Sequence, residues 1–298
     1  MSVLAIFGPT ASGKTAVARV LAERIPADVV SADSMQVYRG LPILTNQGPA
    51  RLVGIWELDH EASVGEYQEL AHAAIDEILA ARRTPIVVGG TGLYLRAALA
   101  DLAVPPPAAA GRREHWQRVY DRIGAERAHA LLTERDPGAA AAVHPNDRRR
   151  VVRALELAEA GHSLAPPRRR LWAEDTRHPT IVFGLDVPRD ELNARIGERT
   201  RAMFDAGVAG EVRLALQHPL STTARHVIGL REVAELPREE AMAALAQRTR
   251  QYAAYQRKWM RRIPGLVSLA GDRPPGEVAD ALLEVARSRQ RLPARGAG

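Results

Sequence analysis

The sequence predicts an α/β protein with a doubly wound parallel sheet and an all-helical insertion, on three observations. The chain opens on an uncharged apolar run, Val3-Leu4-Ala5-Ile6-Phe7, which enters a glycine-bearing turn and then a helix. Short apolar runs then alternate with longer stretches of helical periodicity, the pattern left by parallel strands joined through helical crossovers. Between residues 104 and 170 the alternation stops: proline-rich stretches bound a block with no convincing strand. The expected division is a core of residues 1–103 and 171–298 and a helical insertion of residues 104–170.

The turn after the first run reads Gly8-Pro9-Thr10-Ala11-Ser12-Gly13-Lys14-Thr15, the Gly-x-x-x-x-Gly-Lys-Thr spacing of a phosphate-binding loop. Gly8 and Gly13 let the backbone turn tightly and approach phosphate oxygens. The helix expected over Ala16–Arg24 presents unpaired N–H groups and its positive dipole end to an anion. Lys14 should reach the phosphates, and the Thr15 hydroxyl should ligate Mg2+. The core is thus P-loop NTPase-like and binds a di- or triphosphate. The loop alone leaves open whether a phosphoryl group moves.

With 298 residues and 46% hydrophobic content, the chain can bury the core of one large domain, or of a domain with an insertion. No apolar run approaches the length of a membrane span, and the N-terminus enters the first strand without a basic leader. Cysteine is absent, which excludes disulfides, cysteine nucleophiles and cysteine-ligated zinc and suits a cytoplasmic location. The net charge of +6 is carried almost wholly by arginine. A polyanionic partner and codon bias both account for that until the arginines are located.

The second strand is the short run around Val29-Val30, ending in Asp33-Ser34-Met35-Gln36-Val37-Tyr38. A carboxylate at the C-terminal end of a strand, beside a phosphate loop, stands where open α/β sheets bind ligands. Capping the following turn is the other role Asp33 could fill. Leu41–His60, broken by Pro42, Gly48, Pro49 and Gly54, reads as a loop with one or two short strands. Leu70, Ala74 and Ile78 recur at helical spacing and predict an amphipathic helix from Ser63 to Arg83. Pro85–Gly90 reads as a buried parallel strand, and Thr91 as the natural N-cap of a helix to Ala100. Gly89 and Gly90 place bare backbone either beside a ligand or in a plain strand-to-helix turn.

Residues 112–161 read as about three helices with a break at Asp136-Pro137, the last behind an Asx cap at His144-Pro145-Asn146-Asp147. On that helix Arg149, Arg150 and Arg153 share a face, either a solvated surface or a polyanion contact. Thr180–Val187 returns to the sheet. The helix Arg189–Ala206 then puts Leu192, Ile196 and Met203 on one side and carries the i,i+4 pair Arg195 and Arg199. Gly207 can end it, and residues 210–217 continue as another helix. Residues 225–231 start a helix or turn. In a long helix over Glu239–Arg262, Tyr252, Tyr255 and Trp259 interleave with basic residues. That suits RNA bases and phosphates, or for the aromatics a core stripe. Leu266–Leu269 is the last strand, Glu277–Arg287 the last helix, and residues 291–298 look frayed.

Four motifs taken in order and spacing resemble the tRNA dimethylallyltransferases: the phosphate loop, Asp33–Tyr38, Gly89-Gly90-Thr91-Gly92-Leu93-Tyr94, and His144–Asp147 with Arg150 and Arg153-Ala154-Leu155-Glu156. The resemblance runs from the first strand to Trp259. It implies transfer of a dimethylallyl group from dimethylallyl diphosphate to N6 of the adenosine 3′ to a tRNA anticodon, with Mg2+ as cofactor and no ATP consumed. Residues 8–15 would then hold a diphosphate leaving group, with Lys14, Thr15 and Arg199 neutralising it. The resemblance makes Asp33 the general base and places Thr10 and Thr91 in the same channel. Against the tRNA anticodon stem-loop it puts Asp33, Ser34, Met35, Gln36, Thr91, Arg113, Arg149, Arg150, Arg153, Arg231, Gln256, Lys258 and Arg261. A monomer is expected.

The chain departs from the family pattern at Leu41–Pro49, at Leu230, where an aromatic is usual, and at Tyr255, where an arginine is usual. These positions bear on the nucleotide context of the target base, not on Lys14, Thr15 or Asp33. Three rival readings are prenyl transfer to free AMP, ADP or ATP, a small-molecule kinase, and a non-enzymatic RNA-binding protein. The arginine-bearing insertion and the basic-aromatic helix argue against the first. The strand Ile86-Val87-Val88 ends in glycines rather than a metal-holding Asp, which argues against the second. Intact Lys14, Thr15 and Asp33 argue against the third.

Overall fold

The computed structural model describes residues 2–105, 111–165 and 175–289. It divides into two compact units, Met1–Asp101 with Glu174–Gly298, and Leu102–Ala173. The expectation of a frayed 291–298 and most of both proline-rich linkers fall outside the described residues. Among the described residues no helix is long and apolar enough to cross a membrane.

In the larger unit five strands, β1 (Val3–Phe7), β2 (Ala27–Ser31), β3 (Thr84–Gly89), β4 (Thr180–Asp186) and β5 (Val267–Ala270), form one parallel sheet in the order β2-β3-β1-β4-β5. Alternate side chains point to opposite faces. Leu4, Ile6, Ile86, Val88, Phe183 and Leu185 meet α1 (Lys14–Arg24) and α13 (Pro275–Arg289) on one face. The other face is covered by α3 (Val64–Ala80) and α4 (Gly92–Leu99). Both faces are thus buried, which explains why β1 and β3 read as continuous apolar runs rather than alternating ones. Each of Leu4, Ile6 and Phe183 is fully buried and contributes on the order of 1.5–3 kcal/mol.

Local chemistry sets the element ends. Ser63 caps α3 by accepting the Glu66 N–H at 3.2 Å. Gly207, at φ 92°, separates α9 (Arg189–Asp205) from α10 (Val208–Ala215). The segment Leu41–His60, expected as a loop with short strands, instead holds one helical turn, α2 (Pro42–Thr45), and contributes only isolated bridges between Val30 and Arg51 and between Tyr38 and Trp56. Pro42 at the first helical position favours that turn. A 3-10 turn at Ala224–His226 precedes α11 (Leu230–Glu235), and α12 (Arg238–Met260) is the long helix.

The described residues of the smaller unit form four helices, α5 (Arg112–Ile123), α6 (Ala125–Arg135), α7 (Pro137–Ala142) and α8 (Arg148–Glu159), where spacing predicts about three. The break at Asp136-Pro137 starts a short helix of its own, because Asp136 accepts the Ala139 N–H at 2.9 Å and Pro137 takes the first turn. Asp147 caps α8 through the Arg150 N–H at 3.2 Å. Trp116, Tyr120, Leu132, Val151 and Leu155 form the core of this unit.

Candidate active site

The site is built at the C-terminal ends of β1, β2 and β3, where an open parallel sheet leaves a crevice. The phosphate loop leaves β1 at Gly8, where a Cβ would lie 2.8 Å from Ser12 Oγ and 3.1 Å from the Leu185 carbonyl, so only glycine fits. Gly13, at φ 89°, needs a residue without a Cβ to enter α1. Ala11 is also left-handed, at φ 64°, and its methyl packs on the cluster of Val187, Leu192, Ile196, Ala246 and Ala253. Two side chains tie the loop down. Gln256 accepts the Thr10 N–H at 2.8 Å, and Arg199 donates to Thr10 Oγ1 at 3.1 Å. Ser12 is buried, and its Oγ lacks a hydrogen-bond partner among the described residues.

Lys14 donates to the Pro9 carbonyl at 2.6 Å. Burial pushes its ammonium down to about 8, the nearby Asp33 carboxylate pulls it back up, and Arg199 pushes it further down. Burial also lowers Arg199, with Asp33 opposing. Two cations are therefore held partly desolvated beside one carboxylate, an arrangement that an incoming anion stabilises. Asp33 fills both roles its residue type allowed: Oδ1 accepts the Met35 N–H at 2.9 Å, forming the turn, and the carboxylate lines the cleft.

The cleft has a volume of about 340 Å³. It brings together Thr10, Ala11, Gly13, Lys14, Thr15, Asp33, Met35, Gln36, Arg199 and Gln256 of the residues singled out in the sequence. Among the described residues, Asp33 is the one acidic residue lining it. No group of three or more His, Asp or Glu among the described residues is placed to hold a metal. Thr15 lines the cleft and is exposed to it. This donor set suits a Mg2+ that takes most of its ligands from phosphate oxygens and water, as that ion commonly does.

At several expected positions the packing supplies partners that the sequence did not predict. Thr91 stands at the N-cap of α4 but caps nothing with its side chain. Its Oγ1 lies 3.3 Å from Ser34 Oγ, accepts the Ser34 N–H at 3.4 Å and lies 3.2 Å from the Tyr252 hydroxyl. It supports the Asp33–Ser34 turn from behind, and Tyr252 faces the cleft in its place. Gln256, expected among the RNA-contacting residues, is buried and spans the Thr10 N–H and the Gly90 carbonyl, the latter at 2.9 Å. Gln36 lines the cleft, yet its amide is engaged by Ser31 Oγ at 2.8 Å and by the carbonyls of Thr45 and Asn46 at 3.1 and 3.0 Å. The long-helix aromatics split three ways. Tyr252 lines the cleft, Tyr255 is exposed, and Trp259 packs where a Cβ on Gly92 would fall 2.0 Å from its ring. Lys258 and Arg261 are exposed on the same helix end, and Arg231, on α11, is exposed and pairs with Glu235 at 2.9 Å.

In the smaller unit Arg149 and Arg150 are exposed, while Arg153 bonds Glu156 at 2.8 Å and the Pro105 carbonyl at 3.4 Å. Arg113 reaches the same buried Glu156 carboxylate at 3.7 Å. The arginine face of α8 therefore divides into two exposed cations and one, Arg153, that shares the Glu156 carboxylate with Arg113 of α5.

Sequence reasoning did not assign an apolar side to the cleft, which is lined by Leu44, Ile196, Met203, Ile228 and Leu245 as well as Tyr252. Isolated apolar residues at helical spacing read as core, and nothing local marks them as lining a cavity. Arg195, flagged only as one of a pair, also lines the cleft while bonding Glu191 and the Gly271 carbonyl.

A family model described as IPP transferase matches residues 36–263, and one described as isopentenyl transferase matches residues 1–51. A tRNA dimethylallyltransferase of Anaeromyxobacter sp. (strain K) is 39% identical over 292 residues, covering 93% of this chain and 95% of its own. One from Streptomyces coelicolor is 39% identical over 284 residues, covering 90% of each. The crystal structure of the full-length tRNA isopentenylpyrophosphate transferase of Bacillus halodurans matches with TM-score 0.67 and 31% identity, over 96% of this chain and 95% of that one. A eukaryotic dimethylallyltransferase acting on tRNA matches in fold, with TM-score 0.77 at 23% identity over 99% of this chain and 81% of its own.

Proposed function

The chain belongs to the tRNA dimethylallyltransferase family, and from that premise we propose that it transfers the dimethylallyl group of dimethylallyl diphosphate to N6 of the adenosine 3′ to a tRNA anticodon, as a monomer in the cytoplasm. The observation that carries this reading is the convergence of Lys14, Arg199 and Thr10 on one cleft where Asp33 is the single lining carboxylate among the described residues. Cations serve a leaving diphosphate, and a lone carboxylate serves an amine that must lose a proton.

In the reaction the N6–C1 bond forms as the C1–O bond to diphosphate breaks. The electron pair of that bond leaves with the diphosphate, whose charge Lys14 and Arg199 meet. The N6 proton passes to Asp33. Bound Mg2+, held by Thr15 and phosphate oxygens, would spread the charge of the departing diphosphate. The adenine reaches the cleft only when unstacked from the anticodon loop. Incubating tRNA with the protein, dimethylallyl diphosphate and Mg2+, then analysing the nucleosides by mass spectrometry, should yield dimethylallyl adenosine. No such product, together with rapid ATP turnover stimulated by a small polyol or nucleoside, would replace this reading with the kinase.

For the tRNA anticodon stem-loop, the exposed Arg149 and Arg150 are the phosphate contacts of the smaller unit, whereas Arg153 and Arg113 are held by Glu156. Changing Arg149 and Arg150 together to Gln should weaken tRNA binding. The slope of log K against log salt should fall by up to ~1.4, at about 0.7 for each single-strand phosphate that is no longer neutralised. Affinity for dimethylallyl diphosphate should stay the same. An unchanged slope in a filter-binding salt series would reduce these arginines to a solvated face.

A further inference from the structure

The polar half of the cleft is made by the phosphate loop, Asp33 and Arg199, and its other half by apolar side chains drawn from several elements. Leu44 comes from α2, Met203 from α9, Ile228 from the turn before α11 and Leu245 from α12. Leu44 and Leu245 are each about 5% exposed or less. They converge on Gly229: a Cβ there would lie 2.7 Å from Leu245 Cδ1 and 2.8 Å from Leu44 Cδ1. Gly229, at φ 94°, is the residue type that permits this approach, and no space is left between the two leucines and the backbone behind them. Leu44 is also anchored. Glu211, on α10, accepts its backbone N–H at 2.8 Å and that of Ile43 at 2.7 Å with its two carboxylate oxygens. A short helical turn that would otherwise be free to shift is thereby fixed from behind.

We infer that Leu44 and Leu245, closed over Gly229, form the end wall of the donor's hydrocarbon site and restrict this protein to a five-carbon prenyl diphosphate. The inference rests on the prenyl-transfer reading. An apolar donor tail needs a dry wall, and the cleft has such a wall, in which Leu44 and Leu245 come from α2 and α12 and, of the four, only Met203 shares a helix with Arg199. A close-packed wall stops a longer chain because protein interiors yield little to an added methylene. Hydrophobic pockets commonly discriminate about 10–200-fold per methylene.

The test compares dimethylallyl diphosphate with geranyl diphosphate as donors to tRNA, in the wild type and in Leu44→Ala and Leu245→Ala. Wild type should use geranyl diphosphate at no more than ~1% of the kcat/KM for dimethylallyl diphosphate. Each alanine variant should raise the geranyl-to-dimethylallyl ratio by ~100-fold or more. Leu245→Met, nearly equal in volume, should keep the wild-type ratio. Calorimetric binding of inorganic diphosphate reports whether a variant is folded with its polar half intact. Where an alanine variant fails that check, Leu44→Val and Leu245→Val carry the same comparison. An unmoved ratio in variants that bind diphosphate would overturn the wall, as would a wild type that uses both donors equally. A wild type that transfers neither group would overturn the prenyl-transfer reading itself.

Discussion

Asp33→Asn is expected to lower kcat by about 10²–10⁴-fold while leaving the KM values for donor and tRNA close to those of the wild type. The structure makes this substitution unusually clean. Asp33 Oδ1 accepts the Met35 N–H at 2.9 Å, and the Asn side-chain oxygen can accept the same bond, so the turn that positions Ser34, Met35 and Gln36 survives. What is lost is a site for the N6 proton, since Asp33 is the one acidic residue lining the cleft among the described residues. The local charge also changes by one unit beside Lys14 and Arg199, a change that does not oppose diphosphate binding. The measurement is single-turnover transfer with saturating tRNA, beside equilibrium binding of each substrate. Near-normal kcat with a raised KM would make Asp33 a turn and binding residue and leave the proton without an acceptor.

Lys14→Ala should weaken binding of dimethylallyl diphosphate severely and slow transfer by about 10²–10³-fold, the usual cost of removing one group aimed at developing charge. Its backbone position is set by Gly13 and the start of α1, so the loop should keep its path without the side chain. The same residue predicts a pH dependence. Burial holds the ammonium down to about 8 in the free protein, so the charged form prevails below that pH and the neutral amine above it. The diphosphate binds the charged form. Donor affinity should therefore be flat below pH 8 and fall as the pH rises through it, by up to tenfold per unit, because binding must then take up a proton. Bound diphosphate raises the ammonium's pKa, which extends the decline upward. Calorimetry across that range, in buffers of different ionisation enthalpy, reads both the affinity and the proton uptake. A wild-type affinity that does not change across pH 8 would remove Lys14 from the diphosphate site, as would a Lys14→Ala protein with the same pH slope.

What was legible in the sequence is what local chemistry dictates. The phosphate loop could be read because Gly13 needs a left-handed φ and Gly8 a close backbone approach, constraints that leave few residue types open. β1 and β3 could be read because strands buried on both faces carry unbroken apolar runs, and α8 because Asp147 caps it. The IPP transferase match over residues 36–263 agrees with the family that the motif order suggested.

The tertiary structure alone decided which side chains meet. Thr91 and Gln256 carry residue types suited to a substrate contact, and only the packing shows that one also meets Ser34 and Tyr252 and the other the backbone of Thr10 and Gly90. Arg149, Arg150 and Arg153 look equivalent along a helix, and only the buried Glu156 carboxylate separates the third from the first two. Nothing in the sequence marked Leu44, Met203, Ile228 and Leu245 as the apolar wall of a cleft, although helical spacing put Met203 on an apolar face. A leucine facing a cavity and a leucine filling a core carry the same pattern, because helical spacing records which face is apolar. It does not record what stands opposite that face.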